Sequence, residues 1–262
     1  MNEDQPAFNR KAVKPIQCLR EGWDLIKGNY WLFFGIAVLG TLIASMAPMA
    51  ILVGPMMCGI YFCLLRQQRG EPIKFEMLFR GFDYFVQSLI ATLIMIIPLM
   101  VIIVPAYIVF IGFVVATAPQ GGAPPNPNTA WAMLGGMGVF YLAVFLVSLV
   151  VAVLFFFTFP LIADRNMKGV QAVRTSIRAA TGNLGGVIGL VLLTQLMSLV
   201  GSLACCVGAF FVMPIHFAAV AIAYRKVFPQ EVVPEQPPSD GPEADYGPVA
   251  GADENGSMPK KG

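Results

Sequence analysis

Residues 169–227 read GVQAVRTSIRAATGNLGGVIGLVLLTQLMSLVGSLACCVGAFFVMPIHFAAVAIAYRKV, and the chain carries this unit twice. It opens as a short amphipathic helix, passes through Gly182-Asn183, and continues through about forty apolar residues to Tyr224-Arg225-Lys226. The other copy spans residues 15–67. Gln17, Arg20, Gly28 and Asn29 recur as Gln171, Arg174, Gly182 and Asn183 at one fixed offset, and Pro55 and Arg66 recur as Pro214 and Arg225 after a small insertion. The apolar face keeps phase: Ile16, Leu19, Trp23 and Ile26 become Val170, Val173, Ile177 and Ala180. An internal repeat of this kind sets the topology: a helix followed by an apolar hairpin, used twice.

Working outward, the 262 residues are 57% hydrophobic and only 12% charged, where a soluble domain averages about 25% charged. No charged residue or histidine lies between Lys27 and Arg66, or between Asp83 and Asp164, and only His216 lies between Arg178 and Arg225. A membrane-spanning helix needs about 20 apolar residues, so each uncharged block holds two. Every base except Lys260 and Lys261 falls before span one, between spans two and three, between four and five, or just after six. The positive-inside rule then gives six spans in the cytoplasmic (inner) membrane, with both termini cytoplasmic. Residues 1–228 carry 15 bases and 8 acids, and the remainder seven acids and two lysines. A base excess beside spans points to anionic lipid; nucleic acid is excluded as a partner because no soluble domain is large enough to bind it.

The pattern predicts an all-α polytopic bundle in three parts. Residues 1–11 are expected to be disordered, 12–228 to form the six-span domain, and 229–262 to be a disordered, acidic, Pro-rich tail. Three interfacial helices are expected, at Val13–Lys27, Pro72–Tyr84 and Asp164–Thr181, the first closing at Gly28-Asn29. In the second, Phe75, Leu78, Phe79 and Phe82 share one face of an α-helical wheel. Pro48 is the natural turn between spans one and two. Pro55 and Pro214 are expected to kink their helices. Spans three and four, Phe85–Ala118 and Ala130–Ala163, lie between the copies. They exceed what a bilayer requires, so they must tilt, break at prolines such as Pro98 and Pro105, or project. Gly185 and Gly189 give span five a small-residue face for close packing.

These features, with GEPIKFEMLFRGF at 70–82 and MPIHFAAVAIAYRKVF at 213–228, resemble an uncharacterised family of bacterial six-span membrane proteins. The same layout is similar to the membrane domain fused to some glycerophosphodiester phosphodiesterases. The resemblance, over Ala12–Phe228, implies a membrane fold and no established activity. The phosphodiester-cleaving domain is absent, because that chemistry needs several histidines and carboxylates and this chain has one histidine.

No catalytic or metal-ligating constellation is present and no cofactor is expected. His216 is the only histidine, and the cysteines, Cys18, Cys58, Cys63, Cys205 and Cys206, make no ligand spacing. The expected role is therefore non-catalytic: a scaffold, a lipid-organising element or a subunit of a membrane complex. The alternative is an uncoupled transporter of an apolar or lipid-like substrate, since intramembrane Asp, Glu or Arg is missing while paired prolines sit in equivalent repeat positions. Lys168, Arg174 and Arg178 are candidate contacts to anionic phospholipid. Gln195 and His216 fall at similar depth on neighbouring spans and are a candidate hydrogen-bonded pair.

Overall fold

The computed structural model describes residues 8–46, 51–117, 127–204 and 208–229. Pro48, most of the Pro119–Thr129 loop, Cys205, Cys206 and the acidic tail lie outside the described residues. Among the described residues nine α-helices follow in order: α1 (Pro15–Ile26), α2 (Tyr30–Met46), α3 (Val53–Gln68), α4 (Phe85–Thr117), α5 (Pro127–Leu154), α6 (Thr158–Arg165), α7 (Gly169–Gly182), α8 (Leu184–Ala204) and α9 (Gly208–Val227). The 3-10 segments Lys27–Asn29 and Phe75–Tyr84 lie between them. The fold is an all-α bundle, and among the described residues five helical stretches are long and apolar enough to cross a membrane. The expected second span is α3, whose 16 residues reach about 24 Å at about 1.5 Å per residue.

Packing places the elements in a ring of three units, each a pair of long segments with an amphipathic helix laid on it. α1 lies on α8 and α9, the Phe75–Tyr84 helix on α2 and α3, and α7 on α4, α5 and α6. Between units, α2 packs on α9, α4 on α3 and α5 on α8, which closes the ring, while α3 also touches α6 and α9 at its centre. The segment between the two sequence copies thus takes the same place in the ring as the copies themselves.

The close approaches recur around the ring. A Cβ on Gly22 would sit 2.8 Å from the Ala219 backbone nitrogen, and one on Gly81 would collide with the carbonyl oxygen of Pro55 and the backbone of Gly59. Gly59 and Ala218 each lie four residues after a proline, Pro55 and Pro214. In the third case a hydroxyl replaces the glycine. Pro160 cannot donate a backbone bond and crowds the preceding turn, so the helix opens between α5 and α6. Buried Ser176 of α7 accepts from the Phe157 N–H (3.1 Å) and donates to the Leu154 carbonyl (2.8 Å) across that opening.

Several local expectations are corrected. α1 does end just before Gly28-Asn29, but the chain turns there through 3-10 geometry directly into α2. Pro55 sits in the first turn of α3, where the amide it lacks would have no helical partner, so it does not kink that helix. Pro214 lies within α9, and α4 runs unbroken through Pro98 and Pro105. At three residues per turn, Leu78 and Gly81 of the Phe75–Tyr84 helix align and are buried, while Phe75, Phe79 and Phe82 are exposed. Gly185 faces open space; Gly186 and Gly189 make the close approach instead, against Val13 and Pro15. Residues 8–12, expected to lie in or beside a disordered terminus, are tied down. Asn9 N–H donates to the Val227 carbonyl (2.8 Å), and the Asn183 side chain accepts from Ala12 N–H (2.8 Å) and donates to the Asn9 carbonyl (3.0 Å).

Candidate functional site

Charge gathers where α3, α6 and α9 end together. Asp164, near the close of α6, has a side chain only 6% exposed. Arg225 of α9 forks onto it, donating to Oδ1 at 2.8 Å and to Oδ2 at 2.9 Å. Arg69, just beyond α3, donates to Oδ1 at 2.6 Å, and the Tyr224 hydroxyl donates to Oδ2 at 2.8 Å. Arg225 Nε–H also donates to the Gln68 side-chain Oε1 at 3.3 Å. A bidentate guanidinium with two further donors is the arrangement that offsets the cost of burying a carboxylate. Next along α9, Lys226 pairs with Glu21 of α1 at 2.9 Å. The node therefore fastens three central helices and an interfacial helix at one end of the bundle. It holds no nucleophile–base pair, and among the described residues no three His, Cys, Asp or Glu side chains cluster as a metal site.

Around this charged end lie the exposed faces of the interfacial helices. Lys168, Arg174 and Arg178 are exposed on α7, while Ala172, Val173, Ser176, Ala179 and Ala180 bury its opposite face. α1 presents Ile16, Arg20 and Trp23 outward and buries Cys18, Gly22 and Ile26.

Gln195 and His216 are not brought together. Gln195 is exposed on α8, His216 is half-buried with its ring 5.5 Å from that of Phe217, and no hydrogen bond joins them. Helical rise gives depth but not azimuth. The buried polar place beside Gln195 belongs to Thr194, whose hydroxyl bonds back to the Leu190 carbonyl at 3.0 Å.

At the other end α4 and α5 leave the bundle as a pair, joined by stacked Phe110 and Phe140 (centroids 4.2 Å apart) and by Tyr107 edge-on to Phe140. An apolar groove of about 680 Å³ runs between them past Pro105, Val109, Phe113 and Gly136.

The sequence assigned no contact to Asp164, Ser176 or Asn183. Asp164 carried one legible signal, since it is the acid that ends the longest uncharged block. Asn183 stood out only as the repeat of Asn29, and Ser176 had no signal of its own.

Among known families, the one described as a domain of unknown function (DUF7847) matches residues 75–239, from the Phe75–Tyr84 helix through α9. No curated protein and no solved structure matches. These comparisons give no link to the membrane domains of glycerophosphodiester phosphodiesterases.

Proposed function

The chain belongs to the family of DUF7847, a domain of unknown function, and from that premise we propose that it is a non-catalytic, six-span scaffold or lipid-organising protein of the cytoplasmic membrane. The observation that carries this reading is the α4–α5 pair. α4 has 33 residues, about 50 Å at about 1.5 Å per residue. Val101, Ile108, Val109, Val115, Trp131 and Val139 are each more than 60% exposed on these two helices. Helices apolar all round are covered by lipid or by another protein. The packed centre of the ring favours a scaffold over a conduit: Phe157, Leu161, Ile60, Leu64 and Tyr224 are fully buried along α3, α6 and α9.

In this reading α3 completes the sixth span beside α2, the charged end faces the cytoplasm, and the exposed bases of α7 rest among anionic head groups. The test is purification of the full chain in native lipid discs, with mass spectrometry of what travels with it and a flux assay after reconstitution. A scaffold retains lipid or protein in fixed ratio and leaves vesicle permeability unchanged. Saturable flux of a solute or lipid would replace this reading with a transporter.

A further inference from the structure

We propose that Lys14, Gln17 and Arg20 bind the phosphate of an anionic lipid head group, and that Lys168, Gln171 and Arg174 form a second such site in the other sequence copy. The first trio lines a hollow of about 380 Å³ together with Pro15 and Ile16. The second trio occupies the same places on α7, at the same offset that relates Gly28-Asn29 to Gly182-Asn183. All six side chains are exposed, and among the described residues Lys14, Arg20, Lys168 and Arg174 make no ion pair. Gln17 donates to Glu21 Oε1 at 2.8 Å, but that oxygen also accepts from Lys226 at 2.9 Å, so Glu21 is already matched by a cation.

Folding alone gives no reason for these charges. α1 and α7 both carry a lysine at the N-cap, form no side-chain cap there and have no acid in the first turn. A helix N-terminus favours negative charge, so each helix begins with a positive field left unbalanced within the chain. Two cations and an amide three residues apart offer donors along one helix face, a match for the several acceptor oxygens of a phosphate. An exposed apolar residue stands within each trio at equivalent positions, Ile16 at 71% and Val170 at 44%. Beside the first, Pro15 rests on Gly189 of α8, and Leu192, three residues on, is exposed. Phosphate donors beside an apolar surface suit a lipid better than a soluble phosphate. The inference rests on the membrane placement proposed above.

The test titrates the purified full chain with short-chain phosphatidylglycerol and, separately, phosphatidylethanolamine, read by native mass spectrometry. Parallel arms add inorganic phosphate or glycerol 3-phosphate as competitor. Juxtamembrane bases contribute about 1 kcal/mol each, so K14Q/R20Q and K168Q/R174Q should each weaken one phosphatidylglycerol site roughly thirty-fold. Phosphatidylethanolamine binding should not change, and the charge-keeping K14R/R20K should restore binding if the variants are folded. Removing two exposed bases elsewhere, K11Q/K74Q, should leave both sites intact. Equal loss from that control would mean a diffuse field and overturn the proposal, as would unchanged binding in the trio variants. Displacement of lipid by millimolar soluble phosphate would overturn the lipid assignment. Membrane fractionation of the unaltered chain reads the placement independently: a chain found outside the membrane fraction refutes the placement, whatever the titration shows.

Discussion

Asp164 accepts hydrogen bonds from three side chains contributed by α9 and the end of α3, so its removal strands cations rather than merely losing contacts. Breaking a buried ion pair costs about 3–5 kcal/mol. Arg69 is 39% exposed and can rehydrate, whereas Arg225 is 15% exposed. Asp164→Asn should therefore sit near the lower end, about 3 kcal/mol. Arg225→Gln should cost nearly as much, and Arg69→Gln under about 1 kcal/mol, as for exposed pairs. Thermal melts of the detergent-solubilised variants read this order; equal losses for Arg69→Gln and Arg225→Gln would show that the node is not organised around the fork. Asp164 was legible in the sequence only as a boundary. Its partners lie about sixty and ninety-five residues away along the chain, and spacing carries no information on contacts made by ring closure.

At the scale of elements, backbone-to-backbone packing and one hydroxyl set how the interfacial helices seat. Any side chain at Gly81 meets the carbonyl of Pro55, while Gly28 has nothing within 4 Å. Overpacking costs about 1–3 kcal/mol, so Gly81→Ala should lower the melting temperature clearly. Gly28→Ala should leave it unchanged or raise it slightly; comparable losses would refute the close approach. Ser176→Ala should leave the Phe157 N–H and the Leu154 carbonyl without partners in the interior, a loss of about 1–3 kcal/mol. Ser176→Cys should recover little, since a thiol is a weak donor. A Ser176→Ala variant as stable as the parent would mean the α5–α6 opening is satisfied by another route. The helical and apolar character of these elements was legible from periodicity and charge. The pitch of the Phe75–Tyr84 helix was not, because an aromatic-rich segment fits wheels of 3.0 and 3.6 residues per turn equally well until one neighbour is fixed. Pro160 was legible only as the end of span four, since Pro98 and Pro105 pass through α4 without a break. A proline's effect depends on what its turn packs against.

For the whole molecule, the sequence revealed two copies of a unit and the packing places three units in a ring. The middle unit shows no such likeness in sequence and its α4 and α5 are longer, yet its place in the packing is equivalent. Its bases and acids meet those of the other units at one end, and its longest apolar surfaces lie toward the other. The central claim is that this polarity is the polarity of a membrane, with the charged end inside. Single cysteines at Gly122, in the segment joining α4 to α5, and at Lys168, at the start of α7, test it most directly. The background is one in which the five native cysteines are replaced. With an impermeant thiol reagent added to intact cells, the Gly122→Cys chain should label and the Lys168→Cys chain should label only after lysis. Labelling of Lys168→Cys from outside, or of both positions equally, would contradict the account.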